Sequence, residues 1–163
     1  MKVTKGTGER LDLNLGTNTE IGEVLRGEPV VAPRQAVRLD IEESLRLLGS
    51  VRVGRVVFSY EAMPAIRPVN HLVDDGKVII RVHDDATIIP AALPQAVVAY
   101  EADDLDPDRG VGWSVIVTGL ARYVTSADRI AQYARRLRPW VDDAVDHVIE
   151  ISPGQVTGMQ LVE

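Results

Sequence analysis

The sequence predicts a mainly β protein, a small antiparallel barrel or half-barrel of five to seven strands with two or three appended helices. Three observations carry that prediction. Apolar, β-branched runs of strand length recur from VRVGRVVFSY at residue 51 to QVTGMQLV near the end of the chain. Successive runs are joined by short turns such as Glu61-Ala62 and Asp74-Asp75-Gly76, whereas a doubly wound parallel sheet needs a long crossover between strands. Strong start and stop signals for a helix occur in only two places, after Leu39 and after Thr125.

The elements follow in order. Residues 1–38 stand apart, rich in Gly, Thr, Asn and mixed charge, with short apolar patches at Ile21 to Leu25 and Val30-Val31. They read as an extended arm that packs on another surface such as a partner subunit, or as a poorly ordered terminus. The domain proper spans 39–163. Asp40 caps a helix, Glu43 completes a capping box, Ile41, Leu45 and Leu48 form its apolar face, and Gly49 ends it. A strand follows over 51–60, with Gly54 as a bulge or a point of close approach. Residues 63–73 and 77–83 form a hairpin around Asp74 to Gly76, where Gly supplies the positive φ of a tight turn.

Thr87 caps a short helix, TIIPAALP, in which Pro90 falls within the first turn. Strands then cover 96–103 and 113–124, separated by the polar loop DLDPDRGVG. Ser126 caps the second long helix, whose buried side is Ile130, Tyr133, Ala134 and Leu137. Arg135, Arg136 and Arg138 complement the negative end of its dipole, and Pro139 stops it. DHVIEISP and QVTGMQLV read as two closing strands around Pro153-Gly154.

Composition narrows the function. A net charge of −6 argues against general nucleic-acid binding, which requires a basic face. The absence of cysteine excludes disulfides, thiolate catalysis and Cys-type zinc sites. No apolar run reaches the roughly 20 residues that span a bilayer, and the first residues lack the apolar core of a secretory signal, so the expected location is cytoplasmic. His71, His83 and His147 have no metal-ligand spacing, and the Asp103 to Asp108 run lacks the Gly and terminal Glu of a calcium loop. No nucleophile elbow is present.

The ordered set of helix, GRVVFS, RPVNHLV, VIIRV, VVAYEAD and GWSVIVTG resembles the pyridoxamine 5′-phosphate oxidase-like split-barrel family of flavin-binding proteins, over roughly residues 39–162. The likeness is greatest to actinobacterial members, which use FMN, the deazaflavin F420 or occasionally haem. It implies a homodimer with the flavin in a cleft between subunits, acting as an oxidoreductase on a small-molecule substrate. It further implies that Arg67, Pro68, Val69 and Asn70 run alongside the isoalloxazine. By the same likeness Arg81, Val82 and the loop up to Thr87 face the phosphate, and Trp113 and Ser114 approach the cleft from the later strand. The chemistry is consistent, because Arg, a hydroxyl and a helix N-terminus suit a phosphate, and an apolar wall with a few amides suits the ring.

The departures from the family pattern are equally specific. Where relatives carry a Thr after the strand Arg and then Gly-Ser/Thr-Lys, this chain has Val82 and Asp85-Ala86-Thr87. Asp84 and Asp85 would repel a dianion. Loss of a lysine and a hydroxyl, at about 1.5–3 kcal/mol each, weakens phosphate binding about 10²- to 10⁴-fold. The C-terminal VTGMQLVE also lacks the Arg- and His-bearing motif with which true pyridoxamine phosphate oxidases hold substrate. Three readings follow: an FMN-dependent oxidoreductase, an F420-binding reductase, and a non-catalytic relative that keeps the barrel as a binding module. For each Arg the alternative role is an ion pair, for Asn70 a turn or ladder cap, for Trp113 core packing and for Thr87 a helix cap.

Overall fold

The structure, a computed structural model, describes residues 35–83, 95–137 and 146–162. Their elements are β1 Gln35–Leu39, α1 Ile41–Leu48, β2 Val53–Tyr60, β3 Met63–Asp74, β4 Lys77–His83, β5 Ala96–Asp106, β6 Val111–Tyr123, α2 Ala127–Arg136 and β7 Asp146–Val162. Every pairing is antiparallel, in the order β1-β7-β4-β3-β2-β5-β6, and β6 pairs back onto β7. That last pairing closes β2 to β7 into a barrel and leaves β1 attached to the end of β7. The fold class is the split barrel that the sequence predicts.

Alternation along the strands places the core. Val56 and Phe58 of β2, Val69 and His71 of β3, Val78, Ile80 and Val82 of β4, and Tyr100 of β5 are buried together with Trp113, Val115 and Val117 of β6. Helix α1 closes one end of this core with Leu45 and Leu48. Asp40 Oδ1 accepts the Glu43 N–H at 2.8 Å, so the predicted cap is present. Glu43 itself turns to Arg46, at 2.6 and 2.7 Å, instead of returning to the cap. Helix α2 lies on the outside of the barrel, where Tyr133 and Leu137 form a second, smaller core with Ile79 of β4, Val124 and Val148 of β7.

Two boundaries differ from the sequence prediction. The closing segment is one strand, not two: Thr118 pairs with Gln155 and Gly119 with Pro153, which leaves Gly154 as a bulge. A bulge absorbs a proline, which has no N–H to give the ladder, without reversing the chain. Residues 35–38, assigned by sequence to the arm, form β1 with Leu39, in register from Gln35↔Val162 to Leu39↔Gly158. β4 accompanies β7 only as far as Ile151, so the later part of β7 satisfies its other edge with β1. The rest of the arm, the helix predicted at Thr87, and Arg138 with Pro139 lie outside the described residues.

Candidate functional site

The site region begins where β3 parts from β4. The His71 N–H donates to Arg52 O at 3.0 Å, so odd-numbered residues of β3 direct their backbone groups to β2. Even-numbered residues face the other way, toward β4. That ladder runs from Asp74↔Lys77 to Asn70↔Arg81 and stops, although the two strands continue to Pro68 and His83. Pro68 has no N–H to offer at the next rung, which gives a physical reason for the split. Pro64 blunts the same edge further along. Among the described residues, nothing pairs with this side of Met63 to Val69. Ile66 contributes the remaining N–H, and its carbonyl accepts from Arg67 Nη1 at 2.9 Å. The result is an open strand edge carrying a cation, flanked by exposed Ile66 and Pro68.

The residues singled out from the sequence divide between two faces. Val69, Val82 and Trp113 are buried in the barrel. Trp113, 7% exposed, packs with Val115 and Val117 in the barrel core. Pro68, Asn70, Arg81 and Ser114 have the outward parity, and Asn70 and Arg81 are directly paired. Arg81 Nη1 donates to Leu137 O at 2.8 Å and Ala134 O at 3.5 Å, satisfying carbonyls at the C-terminal end of α2. Ser114 stands on β6 between Asp103 and Met159. Thr87 lies outside the described residues.

Sequence reasoning missed the group between Pro68 and Ser114. Arg55 of β2 stands beside Pro68 on one side and Glu101 on the other, and Nη1 reaches Glu101 Oε2 and Asp103 Oδ2, both at 3.0 Å. Burial, then the hydrogen bond with Asp103, raises the Glu101 carboxyl above its ordinary range against the pull of Arg55. The available signal was charge at outward positions of otherwise apolar runs, GRVVF and YEAD. The same face also exposes the apolar side chains Val53 (46%), Ile66 (54%), Val97 (69%) and Ile116 (43%).

Inside the barrel, His71 Nε2 lies 2.7 Å from Leu48 O, and its ring meets Tyr100 edge-on at 5.0 Å. A carbonyl only accepts, so Nε2 carries the proton of a neutral imidazole. Burial lowers the His71 pKa and raises that of Tyr100.

The sequence pattern of the pyridoxamine 5′-phosphate oxidase family matches residues 40–160. The chain belongs to that family. A curated protein of Mycobacterium tuberculosis, itself uncharacterised, is 54% identical over 133 residues, 79% of this chain and 88% of that one. Among solved structures, a FAD-binding protein from Mycobacterium smegmatis is 34% identical, covers 78% of this chain and 99% of its own, and superposes with a TM-score of 0.66. A Corynebacterium glutamicum protein described as a candidate pyridoxamine 5′-phosphate oxidase is 32% identical over 77% of this chain and 98% of its own, with a TM-score of 0.67.

The open edge could hold a flavin ring: exposed Ile66 and Pro68 would give apolar contact, and the Ile66 N–H and the Arg67 guanidinium would be donors for its polar rim. Arg81 fits a phosphate less well, because its bonds to α2 already order it elsewhere.

Proposed function

We propose that this chain is a homodimeric oxidoreductase that binds a flavin nucleotide along the open edge of β3 and serves hydride transfer with a small substrate. The observation that carries the reading is that edge, where the ladder with β4 ends at Asn70 and Arg67 leans on Ile66 O. The bound flavin would supply the hydride chemistry. The protein's own part is to bind and orient: Ile66 and Pro68 pack against the ring, and Arg67 places positive charge at its rim. Asn70 offers an amide at the last rung of the ladder. The exposed apolar face of β2, β5 and β6 would be covered by a second copy, which also walls the ring from water.

Both FMN and FAD carry this ring, and the M. smegmatis neighbour is named for FAD. The bond from Arg81 to Leu137 O favours a second reading, in which the barrel persists without a working phosphate grip as a non-catalytic binding module. Titration of the purified full chain with FAD, FMN and F420, followed by absorbance and fluorescence, tests both. Saturable binding of FAD or FMN that weakens at least tenfold in Arg67→Ala supports the flavin reading. Binding of F420 alone moves the assignment to the deazaflavin. Indifference to all three overturns the oxidoreductase and leaves the module.

A further inference from the structure

We propose that the Arg55–Glu101–Asp103 cluster makes the pairing of two copies proton-linked, each copy taking up a proton at its two carboxylates as the outer face is covered. The inference rests on the assembly proposed above. Its starting point is a charge count. One guanidinium nitrogen holds two carboxylates at 3.0 Å each, and both acids project from the outward side of β5. One positive against two negative charges leaves the cluster with a surplus of one negative charge.

Among the described residues, the surroundings do not offset it. In the strand register Pro68 flanks Arg55, while Ile116 and Ser114 of β6 flank Glu101 and Asp103. None of these side chains is charged. Arg67 of β3 is turned onto Ile66 O, Asp104 has the opposite parity on β5, and Arg38 of β1 is reached only through Ser114 and Met159 along the row. With the face open, water screens the surplus, since Arg55 is half exposed. A two-fold related copy would remove that water and add a second surplus charge. A charge left uncompensated on burial is neutralised rather than kept. Glu101 and Asp103 meet on the same Arg55 nitrogen, at 3.0 Å each, so a proton taken up at either relieves the same surplus. The cluster thus sets a pH term on an interface that its apolar neighbours make adhesive.

Sedimentation equilibrium of the full chain between about pH 8 and about pH 5, at constant ionic strength, tests the coupling. The dimer dissociation constant is expected to fall with pH by up to roughly tenfold per unit for each proton bound, hence up to roughly 100-fold for two clusters. Glu101→Gln fixes the cluster at neutrality and should give a dimer at pH 8 as tight as the wild-type dimer at low pH. The slope should be reduced well below that of the wild type. Asp103→Asn provides the same test if the first variant folds poorly by circular dichroism. A wild-type constant that ignores pH, or variants that keep the wild-type slope, overturn the proposal while leaving the dimer intact. A chain that stays monomeric at every pH overturns the assembly itself, and this inference with it.

Discussion

Gly54→Ala probes the tightest packing in the barrel. A Cβ at this position would overlap the Tyr100 hydroxyl and lie 2.5 Å from Glu101 O and 2.6 Å from Tyr100 Cζ. Tyr100 has little room to move, because its ring is fully buried and braced by His71 at 5.0 Å. The carbonyl has less, because Glu101 is one of three β5 residues in the short ladder with β2, Arg55↔Glu101, Val56↔Tyr100 and Val57↔Ala99. Relief requires β2 and β5 to part. Overpacking a well-filled core costs about 1–3 kcal/mol, and two stiff contacts place this case near the top of that range, about 3 kcal/mol. For a chain of this size that lowers Tm by roughly 6–12 °C. Urea unfolding followed by circular dichroism gives the free energy, and a scan gives Tm. A loss below about 1 kcal/mol would refute the argument. The double variant Gly54→Ala/Tyr100→Phe should recover only part of the loss, since the clash with Glu101 O remains. Full recovery would show that the hydroxyl alone was responsible.

Other regions give further tests. Tyr133 donates to Asp74 Oδ2 at 2.7 Å and accepts from Arg129 at 3.2 Å, tying α2 to the β3–β4 hairpin, so Tyr133→Phe should cost about 1–2 kcal/mol in urea unfolding. Ala62 has φ 62° in the two-residue β2–β3 turn, where Gly suffers no steric penalty, so Ala62→Gly should stabilise by about 1 kcal/mol; a loss would contradict the strain. His71 has a folded-state pKa depressed below its usual 6.5 by burial, so the unfolded chain binds the proton first and stability falls as pH drops below that value. Urea midpoints should therefore decline across that window more steeply in wild type than in His71→Gln, and equal slopes would exclude the effect. Arg81→Met separates two roles: loss of about 1–2 kcal/mol of stability with unchanged flavin affinity assigns Arg81 to α2, whereas at least tenfold weaker flavin binding assigns it to the phosphate.

Much of the barrel was legible because it is built from local signals. Asp75 and Gly76, with φ 48° and 70°, form the tight turn that Asp74-Asp75-Gly76 announces, and alternation fixes which side of each strand is buried. Gly54 was readable as a point of close approach, although not what approaches it. The errors fall where a distant strand decides the outcome. Pro153-Gly154 has the composition of a turn, yet β6 runs past it on one side and converts it to a bulge. Gln35 to Arg38 have no strand signature of their own and are strand because β7 has an edge to fill.

The candidate site was only half legible, for a related reason. Sequence spacing places Arg67, Asn70 and Arg81 near one another, and the hairpin register does bring Asn70 opposite Arg81. What the guanidinium of Arg81 bonds to depends on α2, more than fifty residues away, whose terminal carbonyls need a donor. An arginine that looks like an anion ligand on a strand can equally be a cap for a helix, and only the packing of that helix distinguishes the two. Arg55, Glu101 and Asp103 escaped notice for the converse reason: each is an ordinary charged residue on a strand, and the chemistry lies in their count. Two acids against one base is a property of two strands laid side by side. It is that imbalance, rather than any single residue, that gives the outer face a reason to respond to pH.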